Sequence, residues 1–276
     1  MPEYKDVSVT AFIVNESRAR LEELSGDIYA KLWVTEETKK LWEELAREVY
    51  LYDHVNLSLR NRFYLDRVQG FVDSHPAGVF INMAAGFTSY PYLLDVPCRC
   101  IETDYSHIMA FKEKKIRLWQ EKGVLPERAV EFYPLDMESP EGLKQFEKDF
   151  ASWCADRPAV VIMEGLTYYL SAKTLDRLFS FYTKYLIKGS LIVLDLWGPD
   201  SDEYPVIQKV KKYLSKISGG PAKDFTYIDM DCVRGIEGFS VVEHTDIAAL
   251  ERKYAESRVL QDKSSRFPTE FAVLER

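Results

Sequence analysis

Between Val79 and Asp104 an apolar run, Val79-Phe80-Ile81-Asn82-Met83, empties into Ala84-Ala85-Gly86, and a second run closes on Glu102-Thr103-Asp104. A strand, a turn of very small residues and an acid ending the next strand make a nucleotide-type site. Small side chains let backbone N–H groups and a helix N-terminus approach a ligand, and a carboxylate about 20 residues on can accept both hydroxyls of a ribose. The third predicted strand runs into Pro134-Leu135-Asp136, the fourth into Glu164-Gly165 and the fifth into Asp195. One acid after a strand commonly just caps the next helix. Four successive strands ending in carboxylates suit a ligand with hydroxyls, an exocyclic amine and positive charge. S-adenosylmethionine has all three, its charge sitting on a sulfonium. A dinucleotide needs a neutral or positive phosphate cradle. Read as G-x-G-x-x-G, the glycine positions hold Ala84, Gly86 and Ser89, so the pyrophosphate fingerprint is not met.

These ends must be presented by a sheet. Short apolar runs at Val79–Met83, Cys100–Thr103, Val130–Tyr133, Val160–Met163 and Leu191–Leu194 predict parallel strands buried on both faces. Amphipathic stretches near Tyr105–Lys122, Pro140–Ala155 and Ala172–Ile187 supply the crossovers. Before them, Leu21, Leu24, Ile28, Tyr29 and Leu32, and then Leu41, Trp42, Leu45, Val49 and Tyr52, fall at helical spacing. A further helix is expected over Leu57 to Val72, ended by the turn formers from Asp73 to Gly78. After the fifth strand, Trp197-Gly198-Pro199-Asp200 opens a loop, Tyr204–Ile217 reads as a helix and Ser218-Gly219-Gly220-Pro221 as a flexible joint, an excursion well placed to be a lid. Phe239–His244 and Phe271–Leu274, around a helix near Ile247–Tyr254, are expected to close the sheet as an antiparallel pair. The expected organisation is a helical cap over 1–75 and an α/β domain over 76–276 with the lid at about 197–224.

The chain of 276 residues carries a formal net charge of −8, which argues against nucleic acid or an anionic membrane as main partner. No stretch reaches the roughly 20 apolar residues of a membrane span, and Met1–Asp6 has no signal pattern, so a cytoplasmic protein is expected. Cys98, Cys100, Cys154 and Cys232 lack paired metal spacing and the four histidines are scattered, so reduced thiols and no structural metal are expected.

At this point the residues resemble a known family. Thr10-Ala11-Phe12, Ser17-Arg18-Ala19-Arg20 and Asp27-Ile28-Tyr29-Ala30 are similar to the N-terminal helical signature of the leucine carboxyl methyltransferase family, especially bacterial small-molecule members such as the tetracenomycin-type polyketide O-methyltransferases. Arg62 with Asp66 resembles its Arg-Thr-x-x-x-Asp segment, with Phe63 in place of Thr; Asn82-Met83-Ala84-Ala85-Gly86 resembles its Asn-Leu-Gly-Ala-Gly loop. Glu102-Thr103-Asp104 with Lys112, Leu135-Asp136 and Glu164-Gly165-Leu166-Thr167-Tyr168-Tyr169-Leu170 match further blocks, the last being the most specific. The resemblance implies a class I S-adenosylmethionine-dependent methyltransferase fold, a Rossmann-like sheet of seven strands. It implies Arg62 at the methionine carboxylate, the Asn82, Ala84, Ala85 and Gly86 loop under the methionine portion, and Asp104 with Tyr105 at the ribose. Leu135, Asp136 and Met137 are then near adenine, and Glu164 and Gly165 near the methionine end. Two departures stand out. Ala84 replaces the family's first glycine, and Phe87-Thr88-Ser89-Tyr90 follows Gly86 where the family has an apolar residue and Asp-Thr-Arg, so a charge pair is missing.

Methyl transfer from a sulfonium is an in-line displacement at an activated carbon, to which a protein contributes mainly alignment and desolvation. A carboxylate acceptor needs no base; a hydroxyl does. No residue is singled out as catalytic, and Tyr168 and Trp197 are expected to shape the acceptor pocket. The expected function is O-methylation of a small carboxylate or hydroxyl with S-adenosylmethionine. A non-catalytic cofactor-binding relative and a nicotinamide oxidoreductase stand as alternatives.

Overall fold

The computed structural model describes residues 9–218, 224–263 and 266–276. Helices α1 (Val9–Arg20), α2 (Glu22–Ser25), α3 (Glu36–Glu48) and α4 (Asp53–Ser74) precede the first strand. The expected helix through 21–32 is interrupted. Gly26 takes a left-handed φ of +72° after α2, and the chain re-enters as a 3-10 turn at Ala30–Trp33. The helical spacing there is shared out: Leu21 and Leu24 pack toward the sheet core, Tyr29 and Leu32 join a separate aromatic cluster, and Ile28 is exposed. A capping box of Thr35 and Thr38 starts α3.

From Val79 the chain alternates strands and helices. In order these are β1 (Val79–Asn82), α5 (Tyr90–Leu93), β2 (Arg99–Asp104), α6 (Ser106–Glu121), β3 (Val130–Pro134), α7 (Pro140–Cys154), β4 (Ala159–Met163), α8 (Ala172–Tyr185) and β5 (Leu191–Trp197). Then come α9 (Pro205–Ser218), α10 (Met230–Arg234), β6 (Ser240–Asp246), α11 (Ile247–Tyr254) and β7 (Thr269–Glu275). The seven strands lie in the order β3-β2-β1-β4-β5-β7-β6, parallel except that β7 runs against both β5 and β6. The closing antiparallel pair is therefore joined through α11, with the last strand inserted inside the sixth. Every residue of β1 and β4 is buried, as strands covered on both faces require.

One core includes Leu59, Phe63 and Val68 of α4 together with Phe80, Ile162 and Val193 of the sheet, so the N-terminal helices share the sheet's own apolar face. Helix α9 lies beside α3, where Lys216 Nζ is 2.7 Å from Glu44 and 2.9 Å from Glu48. The joint expected at Ser218-Gly219-Gly220-Pro221 falls, beyond Ser218, outside the described residues, as does Met1–Asp6. Among the described residues no helix is long and apolar enough to cross a membrane.

Candidate active site

Strand order reverses at β1, whose neighbours are β2 and β4, and a crevice opens beyond the carboxyl ends of such strands. A cavity of about 330 Å³ lies there. Its floor comes from the turn after β1. The Asn82 side chain donates to Thr88 Oγ1 at 2.9 Å, Ala85 N donates to the Thr103 carbonyl at 2.8 Å, and Gly86 N donates to Asp104 Oδ2 at 2.9 Å. Gly86 has φ +46° and Ala84 φ +54°, both left-handed. The helix N-terminus expected beyond this turn is reduced to the single turn α5, and the N–H groups of Ala84, Ala85 and Gly86 are directed to Thr103 and Asp104.

The acidic rim divides into two kinds of group. Asp104 and Glu164 line the cavity. Glu102 does not; it is fully buried 2.7 Å from the equally buried Lys112, and desolvation pushes its carboxyl up and the lysine down. Asp195 is buried beneath the rim, accepting from Gly165 N at 2.7 Å and from the Tyr64 hydroxyl at 3.0 Å. Burial raises its pKa to about 6. Burial also raises Asp104, against the lowering effect of the Gly86 and Tyr105 N–H groups. Asp136 is exposed, accepting from Glu138 N, and it is Leu135, Met137 and Glu138 that reach the cavity.

Positive charge reaches the rim from the N-terminal helices. Arg60 Nε donates to Glu164 Oε1 at 3.0 Å and its guanidinium lies 3.9 Å from Asp195. Arg18, 1 % exposed, sits 3.6 Å from Asp27 and 4.0 Å from Glu164, and donates to the Phe87 carbonyl. Tyr90, standing where the resemblance has Arg, donates its hydroxyl to Glu164 Oε2 at 2.6 Å. Gly165 has φ +62°, and a Cβ there would meet the Arg60 guanidinium at 2.9 Å, so this close approach requires glycine.

Of the residues expected at the site, Asn82, Ala84, Ala85, Gly86, Asp104, Tyr105, Leu135, Met137, Glu164, Gly165 and Tyr168 line this cavity. Arg62 does not. It pairs with Asp66 at 2.7 Å on the outer side of α4, because two residues along a helix turn a side chain about 200° away from Arg60. Trp197 lies one layer behind, its ring stacked 3.8 Å from Tyr168 and its Nε1 donating to Thr269. It lines a smaller adjoining chamber of about 100 Å³ that shares Thr10, Val14, Arg60, Tyr168 and Tyr169 with the first. Arg60 is a site residue that motif matching missed, and Arg18 falls within the matched N-terminal signature without a site role attached to it. The signal available was position: Arg60 lies one turn before Tyr64 on the buried face of α4.

Residues 7–183 match the model of the leucine carboxyl methyltransferase family. A Mycobacterium avium protein provisionally named an S-adenosyl-L-methionine-dependent methyltransferase is 28% identical over 219 residues, 71% of this chain and 67% of its own. A provisionally assigned methyltransferase from Thermobifida fusca superposes with a TM-score of 0.62 at 13% identity, over 93% of this chain and 94% of its own. A DUF574 family protein from Streptomyces avermitilis gives 0.63 at 13% identity, over 97% of each chain.

Proposed function

Since this chain belongs to the leucine carboxyl methyltransferase family, we propose that it is an S-adenosylmethionine-dependent O-methyltransferase acting on a small molecule. The observation that carries this reading is the cavity at the β1/β4 switch point, lined by the Asp104 and Glu164 carboxylates and by Arg18 and Arg60. The donor's chemistry fits this set. Its carboxylate suits the guanidinium pair, its ribose diol suits Asp104, and its cationic centre suits Glu164. Asn82 Oδ1, buried without a hydrogen-bond partner on the cavity floor, adds an acceptor for a ligand's N–H or O–H. The volume lies near the lower end of small-molecule sites.

Bound there, the group supplies a methyl carbon already activated by its sulfonium. The chain's part is to hold and desolvate. Gly86 N and Tyr105 N fix the Asp104 carboxylate, Arg60 and Tyr90 grip both oxygens of Glu164, and the stacked Tyr168 and Trp197 wall off water.

The test is thermal denaturation with S-adenosylmethionine, S-adenosylhomocysteine or NAD. A ligand at about 100 times its dissociation constant adds about 2.7 kcal/mol. The two sulfur compounds should each raise Tm by several degrees and NAD should not. Asp104→Ala should remove most of the shift; an unchanged shift in that variant would overturn the ribose assignment.

A further inference from the structure

We infer that the adjoining chamber is the methyl-acceptor site and that Asp53 selects an uncharged, hydroxyl-bearing acceptor, an alcohol or phenol, over a carboxylate. This rests on the reading of the larger cavity as the donor site and extends it to the second substrate.

The chamber meets the main cavity where Arg60, Tyr168 and Tyr169 line both, and its far walls come from α3, α9 and the β7 region through Leu45, Val49, Leu214 and Phe267. These walls are apolar and aromatic, which suits the hydrocarbon part of an acceptor next to its reacting group. The volume is about 100 Å³, below the 150 Å³ or so of an apolar cavity that admits benzene. Only the reacting end of an acceptor is enclosed.

The polar groups in this chamber decide the class. Asp53, at the start of α4 and 5 % exposed, accepts from Ser17 Oγ at 3.0 Å through one oxygen. Asn56, one helical turn on, lines the same space. The Tyr213 hydroxyl, on α9, is buried there without a hydrogen-bond partner. Arg60, the cation on the shared wall, already faces Glu164 and Asp195. A carboxylate acceptor would bring a further anion to that guanidinium and a second into a chamber of mostly apolar walls beside Asp53, with repulsion strengthened where water is displaced. A hydroxyl finds the opposite: Asp53 accepts its hydrogen, and Asn56 or Tyr213 satisfies its lone pair. Burial brings the Asp53 pKa to about 6, a suitable basicity near neutral pH. In the transfer the acceptor O–C bond forms as the methyl–sulfur bond breaks. Sulfur keeps the bonding pair and becomes neutral, and the hydroxyl proton passes to Asp53 and then to water.

The experiment is ligand-observed fluorine NMR on the full chain saturated with S-adenosylhomocysteine, using 4-fluorophenol and 4-fluorobenzoate as probes. The phenol should bind at least tenfold more tightly than the benzoate. Asp53→Asn, which keeps the size and the Ser17 contact, should narrow that ratio to under threefold while its thermal shift with S-adenosylhomocysteine stays as in the parent chain. Equal or tighter benzoate binding, no detectable phenol binding, or an unchanged ratio in Asp53→Asn would overturn the inference. Absence of any shift with S-adenosylhomocysteine would instead sink the donor-site reading beneath it.

Discussion

Arg60 Nε and Glu164 Oε1 lie 3.0 Å apart although 104 residues separate them in the chain. The pair joins the long helix before the sheet to the loop after β4, and both side chains are largely buried. The N-terminal helices thus complete a site whose other walls come mainly from the segments that follow β1, β2, β3 and β4.

Arg60→Met should abolish the thermal shift with S-adenosylhomocysteine. It should also cost about 3–5 kcal/mol, because Glu164 and Asp195 are left with a buried charge unpaired. Arg62→Ala, which removes a part-exposed pair with Asp66, should change stability by less than about 1 kcal/mol and leave ligand binding intact. Chemical denaturation and calorimetry on the two variants compare them directly. Equal loss of binding in both would contradict the placement.

Tyr90→Phe removes the hydroxyl that donates to Glu164 at 2.6 Å. A buried carboxylate oxygen losing a donor costs about 1–3 kcal/mol. The expected result is that loss in urea unfolding, with weaker S-adenosylhomocysteine binding measured by titration calorimetry.

Ala84 holds a left-handed φ of +54°, which costs an L-residue about 1–2 kcal/mol. Glycine takes this conformation freely but loses more entropy on folding. Ala84→Gly should therefore give a net gain of about 0.5–1 kcal/mol, a rise in Tm of about 2 °C by scanning calorimetry. A fall in Tm would show that the alanine methyl matters more through packing than through backbone strain.

Lys112→Met should destabilise by about 3–5 kcal/mol, since it strands the fully buried Glu102. Adding Glu102→Gln should recover much of that loss, the mark of a coupled pair. Two independent, additive losses in denaturant titrations would argue against the pairing.

Asp195 gives a pH dependence whose sign is fixed. Its folded pKa, raised to about 6 by burial and only partly restrained by Arg60, lies above its unfolded value of 3.8. Between those values the folded protein keeps a proton that the unfolded chain has released, so stability falls as pH rises and levels off above about 6. At about 1.4 kcal/mol per unit the contribution is about 3 kcal/mol. Asp53, raised likewise to about 6, adds in the same direction. Urea midpoints from pH 4 to 7 should slope downward in the parent chain and less steeply in Asp195→Asn.

Local sequence determined the elements and their chemistry. The buried strands betrayed themselves as β-branched and apolar runs, because a strand covered on both faces has no polar side. The turn Ala84-Ala85-Gly86 and the acids at Asp104 and Glu164 were legible because a strand's end and its following turn are adjacent in the chain. Which charges meet was decided only in three dimensions. Glu102 and Asp104 sit two apart on β2, yet one is sealed against Lys112 and the other faces the cavity. Arg60 and Arg62 sit two apart on α4, yet the helix turns one toward Glu164 and the other toward Asp66. The break at Gly26 likewise escaped the helical spacing of 21–32, because the buried Arg18–Asp27 pair that flanks it is a tertiary contact. Periodicity reports which face of an element is apolar. Which charge lies opposite a buried polar group depends on how the helices dock on the sheet, and that is settled by the packing of the whole core.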